Sequence, residues 1–227
     1  MAVILSIETS TTVCSVALTE GDQIMAKEIL FLEQSHSTHL TLLIEKVLQQ
    51  VSLEMKELDA VAVSEGPGSY TGLRIGVSTA KGLCYALGIP LIGISTLKAM
   101  AFQVKEEQLD QGIYVPMLDA RRMEVYTATY DADLLTIEKI RPLILAQNSF
   151  AETLKTEQVF FFGDGAQKFS EILKHENARF LENIVPEAWA VGVLANEKFL
   201  KEDFEDVAYF EPNYLKAYRA TTPKKLL

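Results

Sequence analysis

The chain has 227 residues, of which 48% are hydrophobic, and its formal net charge is −10, from 31 acidic and 21 basic residues. This composition excludes a disordered chain and disfavours independent binding to RNA or DNA, which depends on clustered Lys and Arg. No apolar run approaches the roughly 18 residues of a membrane span and residues 2–11 lack the basic start of a signal peptide, so we expect a cytoplasmic protein without a membrane segment.

The first hundred residues switch from strand patterns to helix patterns. β-Branched and apolar runs predict a meander of three strands, at residues 3–11, 13–21 and 23–31. Helical spacing follows over residues 35–53, where one face carries Leu40, Leu43, Ile44, Val47 and Leu48. The same criteria predict strand, helix, strand and helix in turn at residues 58–66, 73–88, 89–96 and 97–108.

The pattern starts again near Gly112. Three strands are predicted at residues 113–122, 123–131 and 136–145, then a strand, glycine turn and helix at 158–173 and a helix at 186–202. Glu8 and Asp119 occupy the same place in the two halves, where an apolar strand meets a short polar link. The element order predicts an α/β fold of two duplicated, tandem actin-like ATPase (ribonuclease H-like) domains. We place them at residues 1–104 and 105–227, with a C-terminal segment that can pack back on the first domain.

Residues 66–76, GPGSYTGLRIG, raise the question of a phosphate-binding loop. A Walker loop places lysine after its last glycine, whereas Leu73 follows Gly72 here. A dinucleotide fingerprint has two residues before its third glycine, and this segment has three. What remains is a helix N-terminus whose free amides could hold an anion by geometry alone, which is a secondary expectation.

A stripe of small residues runs down the predicted helix at four-residue spacing, formed by Gly72, Gly76, Ala80 and Cys84. A helical glycine costs roughly 1 kcal/mol relative to alanine, so the stripe indicates that another element approaches closely. That element is either a helix of the same domain or a helix of another chain. Tyr70 and Arg74 flank the stripe and belong to residue types enriched at interfaces.

Two further groups of residues are candidates for cleft chemistry. Glu8 could orient a nucleotide-bound magnesium, but the segment after it, TSTTV, has no glycine to let amides approach phosphate, which argues against a working ATPase. Asp119, Arg121, Arg122 and Glu124 form a charged turn that either lines a cleft or lies in solvent. His36 and His39 lack a third ligand, so we expect no metal site there. The two cysteines, Cys14 and Cys84, are expected to be buried free thiols.

Three segments in this order, ILSIETST, GPGSYTGLRIGVSTAKGL and PMLDARRMEVY, closely resemble the TsaB (YeaZ) family, and the resemblance spans the whole chain. That family consists of bacterial actin-like proteins needed to make threonylcarbamoyladenosine in tRNA. The resemblance implies a non-catalytic subunit that pairs with and activates its catalytic paralogue TsaD. The pair, joined by the ATPase TsaE, modifies the adenosine beside the anticodon (position 37) of tRNAs reading ANN codons. It also implies that tRNA is bound only through the complex.

The resemblance also implies site residues. The family's helix after the glycine loop forms a dimer face, in the homodimer and with TsaD, so the two dimers are expected to exclude each other. Carried over, this interface comprises Tyr70, Gly72, Leu73, Arg74, Gly76, Val77 and Ala80. No catalytic residue, metal ligand or intrinsic cofactor is implied, and TsaD's H-x-x-x-H metal pair has no counterpart here.

ATP or ADP at the heterodimer boundary is a secondary expectation. The candidate nucleotide contacts are Glu8, Thr9, Ser10, Asp119, Gly163, Asp164 and Gly165, the last three because GDG resembles an adenosine-contacting turn of the superfamily. Two alternative functions stay open at this point. One is an ATP-binding kinase or hydrolase of the actin-like superfamily, and the other is a metallopeptidase of the M22 glycoprotease type.

Overall fold

The computed structural model of the chain describes residues 1–31, 36–107 and 111–215. Residues 216–227, the end of the second predicted domain, lie outside this description. No helix in the described ranges is both long and apolar enough to cross a membrane.

The first sheet has five strands in the order β3-β2-β1-β4-β5. They are β1 (Val3–Glu8), β2 (Val13–Glu20), β3 (Gln23–Phe31), β4 (Ala60–Gly66) and β5 (Leu91–Ser95). The first three form the predicted antiparallel meander, and β1, β4 and β5 are parallel. The helices of this half are α1 (His36–Gln50), α2 (Tyr70–Leu87) and α3 (Thr96–Glu107).

The second sheet repeats this topology in the order β10-β9-β6-β7-β8. Its strands are β6 (Ile113–Asp119), β7 (Glu124–Tyr130), β8 (Thr136–Ile144), β9 (Val159–Phe162) and β10 (Ala178–Leu181). The accompanying helices are α4 (Ala151–Leu154), α5 (Ala166–Ile172) and α6 (Ala188–Leu200). Because a meander followed by two parallel strands occurs in both sheets, the predicted duplicated α/β fold is confirmed.

Helices cover both faces of the first sheet. The buried side chains of α1, α2 and the sheet form one core cluster, which includes all five apolar residues predicted for the inner face of α1. α6 covers the opposite face, and α3 lies between the sheets: its Ala99 packs in the α6 cluster, while its Leu97 and Met100 pack on the second sheet. α6 therefore follows the last strand of the second half but packs against the first sheet.

Observed and predicted elements differ in a few places. The 3-10 turn at Met55–Glu57, α4 and β10 are absent from the prediction and are each four residues or shorter. α2 begins at Tyr70, three residues before its predicted start, because Ser69 caps it by accepting the Gly72 amide at 3.3 Å. Cys14 and Cys84 are free and buried as expected, and burial raises the pKa of each thiol to about 11.

Candidate functional site

The glycine loop (residues 66–69) and the start of α2 lie on the link between β1 and β2. A Cβ at Gly68 would stand 2.3 Å from the Ser10 carbonyl oxygen, and one at Gly72 would stand 2.1 Å from the Thr9 carbonyl oxygen. The Ser69 amide donates to the Ser10 carbonyl at 2.6 Å, and the Thr9 hydroxyl donates to the Gly72 carbonyl at 2.8 Å. These glycines therefore make room for backbone of their own chain.

The small-residue stripe of α2 faces inward along its length. A Cβ at Gly76 would lie 2.3 Å from Thr9 Oγ1. The five predicted interface residues that are buried within the chain are Gly72, Leu73, Gly76, Val77 and Ala80. Their own chain already occupies the space around these five positions, and contact with a partner there stays a prediction. At Gly72 and Gly76, the nearest neighbour that the stripe signalled is Thr9 of the β1–β2 link.

The opposite side of α2 is open to solvent. We call Thr71, Arg74, Ser78, Gly82 and Tyr85 the outer face of α2; all five are exposed, and Tyr85 is 87% exposed. A groove of about 480 Å³ runs beside this face, lined by Ser37, Tyr70, Thr71, Arg74, Ile75, Ser78 and Thr79. Two of the seven predicted interface residues, Tyr70 and Arg74, thus lie where a partner can reach them.

Tyr70 and Arg74 hold each other in place. Arg74 Nη1 donates a hydrogen bond to the Tyr70 hydroxyl at 2.8 Å, and the guanidinium lies 5.3 Å from the centre of the Tyr70 ring. Tyr214, from the C-terminal segment, packs against the same ring with 4.8 Å between centroids. Sequence reasoning missed Tyr214, because no local sequence pattern indicates that it stacks on Tyr70, which is 144 positions away.

Glu8 ends β1 in a fully buried position. Its Oε1 accepts the Ser10 amide at 2.6 Å, while Oε2 lacks a hydrogen-bond partner among the described residues. Burial raises the pKa of the carboxyl, and the polar groups of Ser10 and Ser64 beside it oppose that rise. Thr9 and Ser10 are also buried. All three predicted contacts are thus shielded from solvent in this conformation, and nucleotide binding there stays a prediction.

Asp119, the counterpart of Glu8, lies at the surface with 47% of its side chain exposed. Lys168 of α5 contacts its Oδ1 and also donates to the carbonyl oxygens of Arg122 at 2.8 Å and Glu124 at 2.6 Å. The Asp119 amide donates to Asp164 Oδ1 at 2.8 Å. Asp119 and Asp164, two of the predicted nucleotide contacts in the second half of the chain, therefore lie together, and Lys168 pairs with Asp119.

Gly163 and Gly165, the glycines among the predicted nucleotide contacts, have packing roles. Gly163 has a φ of +95°, and a Cβ there would stand 2.4 Å from the Met117 carbonyl oxygen. A Cβ at Gly165 would stand 2.7 Å from Val125 Cγ1. The GDG turn is thus required by its contacts with β6 and β7.

His36 serves a structural contact. Its Nε2 lies 2.7 Å from the Thr11 carbonyl oxygen, which ties the start of α1 to the β1–β2 link. Within the described ranges, no three His, Cys, Asp or Glu side chains lie close enough together to hold a metal ion.

Comparisons with known proteins agree with this architecture. A family model described as "TsaD: tRNA N6-adenosine threonylcarbamoyltransferase" matches residues 31–224. The chain is 32% identical over 186 residues to the tRNA threonylcarbamoyladenosine biosynthesis protein TsaB of Buchnera aphidicola subsp. Schizaphis graminum, covering 78% of the chain and 83% of that protein. The TsaB of Haemophilus influenzae is 28% identical over 98% of the chain and 96% of its own length. The TsaB of Bacillus subtilis is 34% identical over 139 residues, which cover 61% of the chain and 59% of that protein.

Two solved structures illustrate the shared fold. YeaZ from Pseudomonas aeruginosa superposes with a TM-score of 0.80 at 24% identity, covering 95% of the chain and all of that structure. The activator of the 2-hydroxyisocaproyl-CoA dehydratase from Clostridium difficile, with bound ADPNP, superposes with a TM-score of 0.54 at 10% identity, covering 90% of the chain and 98% of that structure. Both likenesses show the actin-like ATPase fold alone.

Proposed function

Because the chain belongs to the TsaB family, within the broader family that the TsaD model describes, we propose that it acts in tRNA threonylcarbamoyladenosine biosynthesis. Its role is that of a non-catalytic, cytoplasmic subunit, which pairs with a TsaD paralogue and activates it. TsaE joins this pair, and the product is the modified adenosine at position 37 of tRNAs reading ANN codons.

The observation that carries the proposal is the contrast between the two sides of α2. The inner side covers Glu8, Thr9 and Ser10, which are at most 1% exposed, so an ATP site at the end of β1 is not favoured. The outer face is exposed and carries Arg74 and Tyr85, residue types that dominate binding energy in protein interfaces. The docking surface is therefore the outer face of α2 with Tyr70 and the neighbouring groove.

Preorganisation favours this surface for binding. A long Arg side chain loses rotamer freedom when a partner immobilises it, and that loss weakens binding. Arg74 is already held by the hydroxyl and ring of Tyr70. Part of the ordering has thus taken place before the partner arrives.

The same face also serves self-association when no partner is present. A two-fold symmetric dimer uses one patch on both copies, so a homodimer through α2 occludes the surface that TsaD requires. Homodimer and heterodimer are therefore mutually exclusive.

The charge of the chain supports a division of labour in tRNA binding. A net charge of −10 repels phosphate. The contacts to tRNA are therefore supplied by the other subunits of the complex.

The test uses the purified chain and TsaD from the same organism, with mass measured by light scattering after size exclusion and Kd by calorimetry. We expect a one-to-one heterodimer, and Arg74→Ala weakens it by about 30-fold, the effect of a hot-spot residue. Arg179→Ala is the matched control, because Arg179 is also exposed and bonds only to local carbonyls among the described contacts. A wild-type chain that stays apart from TsaD, or equal Kd values for the two variants, would contradict the proposal.

A further inference from the structure

The segment after α6 runs back along the first sheet to the start of α2. The Glu205 amide donates to the Leu91 carbonyl at 2.9 Å, and the Asn213 amide donates to the Glu65 carbonyl at 2.7 Å. Between them, Phe210 lies on Gly93, where a Cβ would stand 3.0 Å from the ring. We call residues 205–214 the C-terminal strap.

Two contacts connect the strap to α2. Lys81 Nζ donates to the carbonyl oxygens of Ala208 and Phe210, both at 3.0 Å. At the end of the strap, the Tyr214 ring packs on Tyr70 at 4.8 Å with 39° between the ring planes. The strap is therefore fastened to the middle of α2 and touches its first turn.

The stack on Tyr70 continues into Arg74. Tyr214 lies on Tyr70, and Tyr70 in turn binds the Arg74 guanidinium by its hydroxyl and its ring. Tyr214 is 37% exposed and belongs to none of the hydrophobic core clusters. Its described ring contact is with the docking surface, so its effect is expected there more than in the stability of the core.

We propose that Tyr214 is a positioning residue of the docking surface: the strap holds Tyr70, and through it Arg74, in the orientation that a TsaD-type partner receives. This inference rests on the proposed function. It extends the binding determinant from α2 to a segment near the end of the chain that makes no helix or strand of its own.

Three variants test the inference in the full chain. Tyr214→Ala removes the stack and is expected to weaken TsaD binding by about fivefold, within the range for aromatic pairs. Tyr214→Phe keeps the ring and is expected to bind like the wild type. Tyr209→Ala is the control, since this tyrosine of the same strap is 84% exposed, and its Kd should not change. The unfolding temperature is measured for each variant and should stay close to that of the wild type.

A double-mutant cycle separates positioning from an independent contact. If Tyr214 acts through Arg74, then Tyr214→Ala has little further effect in an Arg74→Ala background, because coupled residues are non-additive. Unchanged Kd for Tyr214→Ala, additive losses in the cycle, or an equal loss for Tyr214→Phe would each overturn the inference. If Arg74→Ala weakens binding and Tyr214→Ala does not, the proposed function stands and only the inference fails. A wild-type chain that does not bind TsaD overturns both.

Discussion

Replacing Gly72 by alanine is expected to destabilise the protein, whereas the same change at Gly82 is expected to stabilise it. Both glycines lie in α2, but they face different surroundings. A Cβ at Gly72 would stand 2.1 Å from the Thr9 carbonyl oxygen, and a Cβ at Gly82 has no heavy atom within 4 Å. Gly82→Ala therefore reports helix propensity alone, while Gly72→Ala adds the steric conflict.

The two effects have different signs and sizes. Alanine stabilises a helix interior by about 1 kcal/mol relative to glycine. Forcing a methyl group into a packed site costs about 1–3 kcal/mol, and the upper end applies at Gly72 because the obstructing atom belongs to backbone. The net expectation is a loss of about 2 kcal/mol for Gly72→Ala. For a chain of this size that corresponds to a fall of about 4–8 °C in Tm, against a rise of about 2–4 °C for Gly82→Ala.

Thermal and urea unfolding followed by circular dichroism measure both variants against the wild type. If Gly72→Ala is as stable as Gly82→Ala, the inner side of α2 is not packed as described. If Gly72→Ala keeps its stability and loses TsaD binding, the stripe is a docking surface after all. Either result would refute the assignment of the stripe to internal packing.

Two further predictions concern the topologically equivalent ends of β1 and β6. Burial raises the folded-state pKa of Glu8 above 4.5. The contribution of Glu8 to stability is therefore fully present below its unfolded pKa and is lost as the pH rises through its folded pKa. Over that range Glu8→Gln should gain stability relative to the wild type in urea titrations, and a pH-independent difference would contradict this. Lys168→Met should lower the free energy of unfolding by about 1.5–3 kcal/mol, since three oxygens lose a charged donor. The control Lys155→Met breaks only an exposed pair with Glu152 and should change the free energy of unfolding by at most about 0.5 kcal/mol. Similar losses for both lysines would refute the role of Lys168.

Elements with a strong period could be predicted from the sequence. The inner face of α1 was predicted residue by residue, because five apolar positions at helical spacing leave only one face to bury. β10 escaped prediction because it has four residues, of which none is fully buried. The sequence could not predict that α6 packs on the first sheet, because this depends on tertiary contacts. The sequence of α6 shows only that the helix is apolar on nearly all of its sides.

The candidate site was predicted in part. Glycine spacing correctly indicated a close neighbour of α2, since glycine in a helix is unfavourable unless something needs the space. Spacing carries no information on which element that neighbour is. The β1–β2 link lies more than sixty residues away from Gly72 and has no glycine of its own, so only the folded contacts identify it. Tyr70 and Arg74 were predicted by residue type, because aromatic and arginine side chains at a helix start are suited to binding, and their place in an interface stays a prediction.

The equivalent ends of β1 and β6 differ in burial. Glu8 and Asp119 end topologically equivalent strands, β1 and β6, yet Glu8 is fully buried and 47% of the Asp119 side chain is exposed. The difference comes from the segment that follows the next parallel strand. The glycine loop and α2 bring Gly68, Gly72 and Gly76 onto residues 9 and 10, while α5 brings Lys168 onto Asp119. The inner side of α2 packs on its own chain, which leaves the outer face of α2 exposed, and this is the surface that the proposed function requires.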